Sequence, residues 1–231
     1  MNASQTKKRG AIAAKPASVP IWGVREWEGL FKKRDIKYRF SKKQIRQAKE
    51  FPWGWDILKA PCPFYKDKVI GETHYAFLGL AVIEQDQPLI ISRFQEIFPA
   101  NGQPRFFKYP PDCWYEKEDF ALEIVLEPRW YLLLKEIVPN STNLDYSNQL
   151  KILPEGYENP KTVAEVAKSM LHQKQTTVYL NPSVYARCDD LTSGGSRVCA
   201  GYFVRVGLAL DFWDGLPCCH VGLAASRQFP K

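Results

Sequence analysis

One long helical stripe ends abruptly in a run of strands, and that junction limits the fold more than any other feature. "NPKTVAEVAKSMLHQKQ", from Asn159 to Gln175, puts Val163, Val166, Ala167, Met170 and Leu171 on one face at helical spacing. Asn159 is expected to cap this helix, and Pro160 suits its first turn. His172 borders the stripe and reads as a surface or hydrogen-bonded histidine rather than a ligand. The texture then changes. "TTVYLNPSVYARCDDLTSGGSRVCAGYFVRVGLALDFW" is rich in β-branched and aromatic residues and reads as strands, with a turn at Gly194 and Gly195. "VGLAASR" reads as a closing strand. A chain that finishes this way is neither a helical bundle nor a regular alternation of strand and helix, so the reading is α+β.

Upstream the signals are shorter. "SKKQIRQAKE" opens with Ser41 and carries Gln44 three residues later, a capping-box pattern for a short helix. "FPWGWDILKAPCPFY" is broken by prolines and is expected to be aromatic loop packed on the core. In "HYAFLGLAVIEQDQPLIISRFQEIF" two apolar runs flank a polar "EQDQP", which predicts a hairpin. "FALEIVL" and "RWYLLLKEIV" are expected to be buried strands, although the second could also be helical. "PNSTNLDYSNQLKILPEGYENP" is a long polar connection. Three parts follow: a flexible basic tail over 1–20, an aromatic-rich α+β part over 21–158, and a helix with C-terminal strands over 159–231.

Composition narrows the class. At 45% apolar and 13% aromatic residues the chain can bury a core. The formal charge of +7 is concentrated early, in "KKR", "FKKRDIKYRF" and "SKKQIRQAK". Such runs are ordinarily solvated surface, but this basic third could contact nucleic acid or an accessory protein. No apolar run approaches the ~18–20 residues of a membrane span. The first residues have no apolar core of a signal peptide. The expectation is a cytoplasmic protein without a membrane anchor. Its six cysteines, Cys62, Cys113, Cys188, Cys199, Cys218 and Cys219, form no CxxC pair and are expected to be reduced.

Three chemistries compete near the end of the chain. Cys218, Cys219 and His220 could mark a metal or thiol site. Consecutive side chains point to opposite sides of an extended segment, however, so convergence would need a special turn. A Cys–His nucleophile would need a base such as His74 within reach. No GxSxG, P-loop, HExxH or GxGxxG motif is present, and Asp189–Asp190 reads as a turn rather than an acid/base couple. No catalytic residue, metal or cofactor is assigned. Basic charge with many aromatics could make a nucleic-acid surface, but the aromatics mostly sit inside apolar runs.

The C-terminal segment is distinguished by what it omits. Lys, Glu, Gln and Met make up roughly a fifth of the chain, yet none occurs between Arg187 and Arg227. Strands disfavour Lys and Glu, but loops should restore them. Two kinds of position alternate here. One looks like scaffold: "RVCAG", Phe203, Gly207–Leu208, Leu210, Trp213 and "VGLAASR". The other looks arbitrary: Tyr202, Val204, Arg205, Val206, Ala209, Asp211, Phe212, Asp214, Gly215, Leu216, Pro217, Cys218, Cys219 and His220. Every arbitrary residue belongs to the set encoded by codons ending in C, which excludes Lys, Glu, Gln, Met and Trp. Randomising the adenines of an AAC codon produces this set.

With these residues in view, "RVCAGYFVRVGLALDFWDGLPCCHVGLAASRQF" resembles the variable region of a diversity-generating retroelement target protein. "THYAFLGL", "RWYLLLKEIVP", "LPEGYENP" and "YLNPSVYARCDD" are similar to uncharacterised bacterial proteins with the same ending. In that family a reverse transcriptase copies a template repeat, misreads its adenines and overwrites the 3′ end of the gene. The resemblance implies a C-type-lectin-like domain, related to the formylglycine-generating enzyme fold, with mixed antiparallel strands, few helices and long loops. The lectin-fold signatures "GGSW" and "GFR" are absent. It further implies a non-enzymatic protein whose variable residues bind a changing ligand, a protein or other macromolecule. Tyr202, Phe212, Leu216 and His220 would be its anchors, and Arg205, Asp211 and Asp214 would tune its charge. The competing expectation is that Val206, Phe212 and Leu216 are core residues of an ordinary strand–loop–strand.

Overall fold

A computed structural model describes residues 21–32, 42–80, 82–83, 87–98, 102–108 and 113–229. In chain order the elements are β1 (Ile21–Trp22), α1 (Val24–Lys32), α2 (Lys42–Lys49), α3 (Trp55–Lys59), α4 (Ile70–Thr73), β2 (His74–Leu78), β3 (Val82–Ile83) and β4 (Gln87–Pro88). Then come α5 (Ile91–Ile97), α6 (Asp119–Leu122), β5 (Trp130–Leu134), α7 (Tyr146–Lys151), β6 (Tyr157–Glu158) and α8 (Thr162–Thr176). Five strands close the chain: β7 (Tyr185–Leu191), β8 (Arg197–Val204), β9 (Gly207–Trp213), β10 (Val221–Leu223) and β11 (Ser226–Arg227). The molecule is a mixed α+β structure with two main sheets.

The first sheet has the order β1-β2-β5-β11-β6 and the second β10-β7-β8-β9. All pairings in them are antiparallel except β1 with β2 and β10 with β7. β3 and β4 make a separate two-stranded ribbon. The first sheet takes strands from both sides of residue 158, because β11 lies between β5 and β6.

Helix α8 packs on β7 and β8 of one sheet, on β5 of the other, and on α1 and α5. Val163, Val166, Ala167, Met170 and Leu171 are all buried, as their spacing predicts. The helix is so enclosed that Glu165 and Lys168 are buried as well. A buried charge must be paired. Lys168 Nζ lies 2.5 Å from Glu165 Oε1 and donates to the carbonyls of Leu134 at 2.9 Å and Lys135 at 3.1 Å. These bonds pin α8 to the end of β5. Around it Trp27, Phe31, Phe77, Phe94 and Phe203 have no exposed surface. Each such side chain contributes about 1.5–3 kcal/mol of transfer free energy.

Several sequence expectations need correction. The expected hairpin forms only as the short pair β3–β4, and the apolar run after it continues as helix α5: Ile91, Phe94 and Ile97 recur at threefold spacing and are all buried, a helical rather than an alternating pattern. The turn between β3 and β4 lies outside the described residues. "FALEIVL" is not a strand either. Asp119–Leu122 form one helical turn that buries Phe120 and Ala121, and no strand follows before β5. The proline-broken segment contains α3, with Trp53 and Leu58 buried but Trp55 exposed. Asn159 does not cap α8. It donates instead to the carbonyls of Arg187 and Ala224, and Asp190 Oδ2 accepts from Thr162 N at 2.6 Å, placing a carboxylate at the helix start. "VGLAASR" forms two strands in two different sheets. The polar connection carries α7, capped by Asp145, whose side chain accepts from Asn148 N at 2.8 Å. The tail over 1–20, Ser41 and most of "FKKRDIKYRF" lie outside the described residues. Among the described residues, no helix is long and apolar enough to cross a membrane.

Candidate ligand-binding surface

The segment from Tyr202 to His220 begins in β8, turns through Arg205 and Val206, returns along β9, and then runs as a loop to β10. Pairing sets which side chains are covered. Ala186, Ala200 and Leu210 lie abreast across β7, β8 and β9, and so do Arg187, Cys199 and Asp211 on the opposite face. Val198, Ala200 and Leu210 join the main core. The other face carries Arg187, and the loop is bonded to it.

Of the residues expected to form the surface, Arg205, Val206, Phe212, Asp214, Leu216, Pro217, Cys219 and His220 are exposed. Tyr202, Val204, Asp211, Gly215 and Cys218 are half-buried. Ala209 is the exception. It is only 6% exposed, facing Gly201 of β8 from the edge strand β9. Trp213, expected as scaffold, is 36% exposed because it lies at the end of β9. Val206, Phe212 and Leu216 are 55%, 46% and 61% exposed, so none of them is a core residue.

The exposed residues form separate groups rather than one patch. At one end of β9, Phe212, Trp213, Asp214, Leu216 and Pro217, with Ser196, line a hollow of about 350 Å³. Phe212 stands edge-on to Trp114, with ring centroids 4.9 Å apart. At the other end Tyr202 packs on Tyr185 at 4.6 Å and faces His220 at 6.3 Å. Tyr202 reaches this position from a bulge, with its backbone in the left-handed region at φ +42°. Beyond it, Arg205 and Val206 form the hairpin tip. β9 separates the two ends by roughly 20 Å, at about 3.4 Å per residue.

What holds this segment is mostly main chain. Tyr146 N donates to Gly215 O at 2.9 Å, Asn143 N to Cys218 O at 2.9 Å and Tyr185 N to His220 O at 2.8 Å. Gln103 Nε2 and Arg105 Nε both donate to Arg205 O at 2.8 Å. Side-chain bonds of the segment stay local. Asp211 Oδ1 accepts from Phe212 N, and Asp214 Oδ1 accepts from Leu216 N. Gly207 allows the tip to dock. Its φ is +133°, and a Cβ there would stand 2.4 Å from Phe107 N and 2.5 Å from the Phe106 carbonyl carbon.

Arg187 supports the loop from below. It is fully buried, and among the described residues it has no carboxylate within ion-pair distance. Nη1 donates to Gln149 Oε1 at 2.8 Å and Nη2 to Leu216 O at 3.2 Å. The ring of Tyr146 lies 5.9 Å away. Gln149 in turn donates to the carbonyls of Ser141 and Val221. Sequence reading passed over Arg187, Gln149 and Tyr146. The available signal was an arginine within the otherwise small or apolar "YARC" at the start of a strand, a place where an unpaired charge is costly.

Cys218 Sγ accepts from His220 N at 3.5 Å, while Cys219 and His220 are exposed. Among the described residues, no group of three or more His, Cys, Asp or Glu side chains could hold a metal ion. His74 is buried in β2 with its ring nitrogens against Thr73, Ile70 and Tyr157, and burial lowers its pKa to about 3. Burial raises the Cys199 thiol to about 12 despite Arg187 beside it, and raises Cys188 well above its ordinary value. Asp189 is held by Lys161 and Arg197. Compared with protein-family models, curated proteins and solved structures, the chain matches none.

Proposed function

We propose that the chain is a non-enzymatic ligand-binding protein whose surface from Tyr202 to His220 is diversified by adenine-directed retroelement mutagenesis. The fold it would use is C-type-lectin-like, related to the formylglycine-generating enzyme. The two mostly antiparallel sheets and few, mostly short helices are compatible with that choice.

One observation carries the reading. The sequence reading separates scaffold-like from arbitrary positions, and burial follows that separation at most of them. Of the scaffold-like positions, Val198, Cys199, Ala200, Gly201, Phe203, Gly207, Leu208, Leu210 and 221–226 are buried, Arg197 and Arg227 are half-buried and Trp213 is exposed, whereas every arbitrary position except Ala209 has exposed surface. A residue choice that is free of Lys, Glu, Gln and Met in exposed loop has no folding rationale. Copying from an adenine-mutated template supplies one. The main-chain anchoring fits the same reading, since a carbonyl oxygen is present whichever side chain is installed. A frame fixed in this way lowers the ordering cost of binding.

The test is the DNA beyond the 3′ end of the gene. The expected result is a near-copy of the codons for 197–227, differing mainly where the copy carries adenine, beside a reverse-transcriptase gene. Absence of such a copy, with codons that show no adenine-linked pattern, would overturn the proposal.

A further inference from the structure

The hollow at the end of β9 has a chemistry that selects among partners. Two of its walls are aromatic, Phe212 and Trp213, and two are aliphatic, Leu216 and Pro217. Its only ionisable lining residue is Asp214. One oxygen of that carboxylate accepts from Leu216 N at 3.2 Å, and the other takes no hydrogen bond from the described residues. Among the described residues Asp214 has no ion-pair partner. Arg197, which faces Trp213 across β8 and β9, is already committed. It bonds Asp189 at 3.1 Å and lies 4.4 Å over the ring of Tyr146.

We infer that this hollow receives an arginine side chain presented by a protein partner, with its guanidinium against the aromatic wall and paired to Asp214. The inference deepens the binding-surface reading and rests on it. Volume and shape favour a side chain over a free small molecule. At about 350 Å³ the hollow is near the lower limit for small-molecule pockets, and its lining residues are themselves largely exposed, so it cannot enclose most of a ligand. A planar guanidinium suits this site twice over. It stacks on aromatic faces and pairs with a carboxylate through parallel N–H donors, which an ammonium does not do. Arginine is also enriched among the residues that dominate protein interfaces.

The net charge of +7 opposes a cationic partner, but distance decides the balance. Charges more than a Debye length away, about 8 Å at physiological salt, are largely screened. A carboxylate in contact is not. The local term therefore wins close in, while the global charge slows the approach.

The test is a titration of the intact chain by nuclear magnetic resonance, reading the Trp213 indole N–H signal, assigned with Trp213→Phe. The probes are the blocked amino acids N-acetyl-arginine amide, N-acetyl-lysine amide and N-acetyl-leucine amide. The expected result is a saturable shift with the arginine probe and at least about threefold weaker binding of the other two. Asp214→Asn should weaken the arginine probe by about fivefold while leaving the rest of the spectrum in place. Equal or tighter binding of the leucine probe, or no saturation by arginine, overturns the inference; neither result needs a variant that folds. Failure here with a template copy present at the gene would remove the arginine assignment alone. Absence of the copy would remove the diversification reading whatever the titration shows.

Discussion

Arg187, wholly buried, donates through Nη2 to the carbonyl oxygen of Leu216, whose own side chain is among the most exposed apolar groups of the structure. The contact joins the fixed sheet to the loop without touching the loop's side chains. Removing the guanidinium leaves Gln149 Oε1 and the Leu216 carbonyl without their donor. Arg187→Met is expected to cost about 2–4 kcal/mol in urea unfolding. Arg187→Lys should recover less than half of that, because one ammonium cannot span both acceptors. A near-neutral methionine variant would show that the loop is held in some other way.

Position within the segment should govern tolerance. Leu216→Ser and Val206→Asn are expected to change unfolding free energy by no more than about 0.5 kcal/mol each, and Phe212→Ser by about 0.5–1.5 kcal/mol because its ring also stands against Trp114. Phe203→Ala, a few residues away in β8, should cost about 3–5 kcal/mol because its ring is fully enclosed. Thermal and chemical denaturation of the four variants would reveal the split. Comparable losses at both kinds of position would contradict a frame-and-surface division.

Backbone approach at Gly207 makes a sharper prediction. A side chain there meets main-chain atoms of 106–107, which cannot rotate away. Gly207→Ala should cost about 2–3 kcal/mol and detach the hairpin tip from Gln103 and Arg105. Hydrogen exchange at Phe107 and Leu208, whose amides bond across this contact, would report the detachment directly.

Thiol chemistry separates the cysteines cleanly. Cys219 is exposed and Cys218 half-buried, whereas Cys62, Cys113, Cys188 and Cys199 are buried. An aromatic disulfide reagent at pH 8 should label Cys219 fast and Cys218 slowly. The other four should react only in denaturant, with Cys188 and Cys199 further protected by their raised pKa values. Rapid labelling of Cys199 in the native chain would contradict the packing of the second sheet.

Acid should weaken the fold through its buried histidines. Burial lowers His74 to about 3 and His172 to about 4, so both remain neutral in the folded chain where the unfolded chain takes up protons. Their contribution is intact above about pH 6.5 and falls as pH drops toward the folded values. For His74 the slope approaches about 1.4 kcal/mol per pH unit over that window. Stability measured at pH 7, 5.5 and 4.5 should decline, and His74→Gln should flatten the decline. A variant with an unchanged pH slope would remove His74 as a cause.

The late part of the chain was the most legible, for physical reasons. Helix α8 and strands β7 to β9 have long, regular periods and clear turn glycines, so local pattern and tertiary structure agree. Short elements failed. Ile91–Ile97 spans only about two helical turns and follows directly on the apolar "PLI", and Asp119–Leu122 is a single turn, so neither is long enough to show its period clearly. Long-range bonds were invisible. Nothing near Asn159 says that its amide will serve Arg187 and Ala224, or that Asp190 will take the helix start. For the surface, residue types indicated which positions would be exposed. Their division between an acidic-aromatic hollow and a Tyr202–His220 pair arose only from strand register.

Strand β11 follows the whole Tyr202–His220 segment in the chain, yet it occupies an interior place in the first sheet, bonded to β5 on one side and β6 on the other. Ser226 and Arg227 are therefore needed to join strands made long before them. A chain cut short before residue 226 would lose that join and leave the facing edges of β5 and β6 open. The architecture thus makes completion of the first sheet depend on translation through the whole Tyr202–His220 segment.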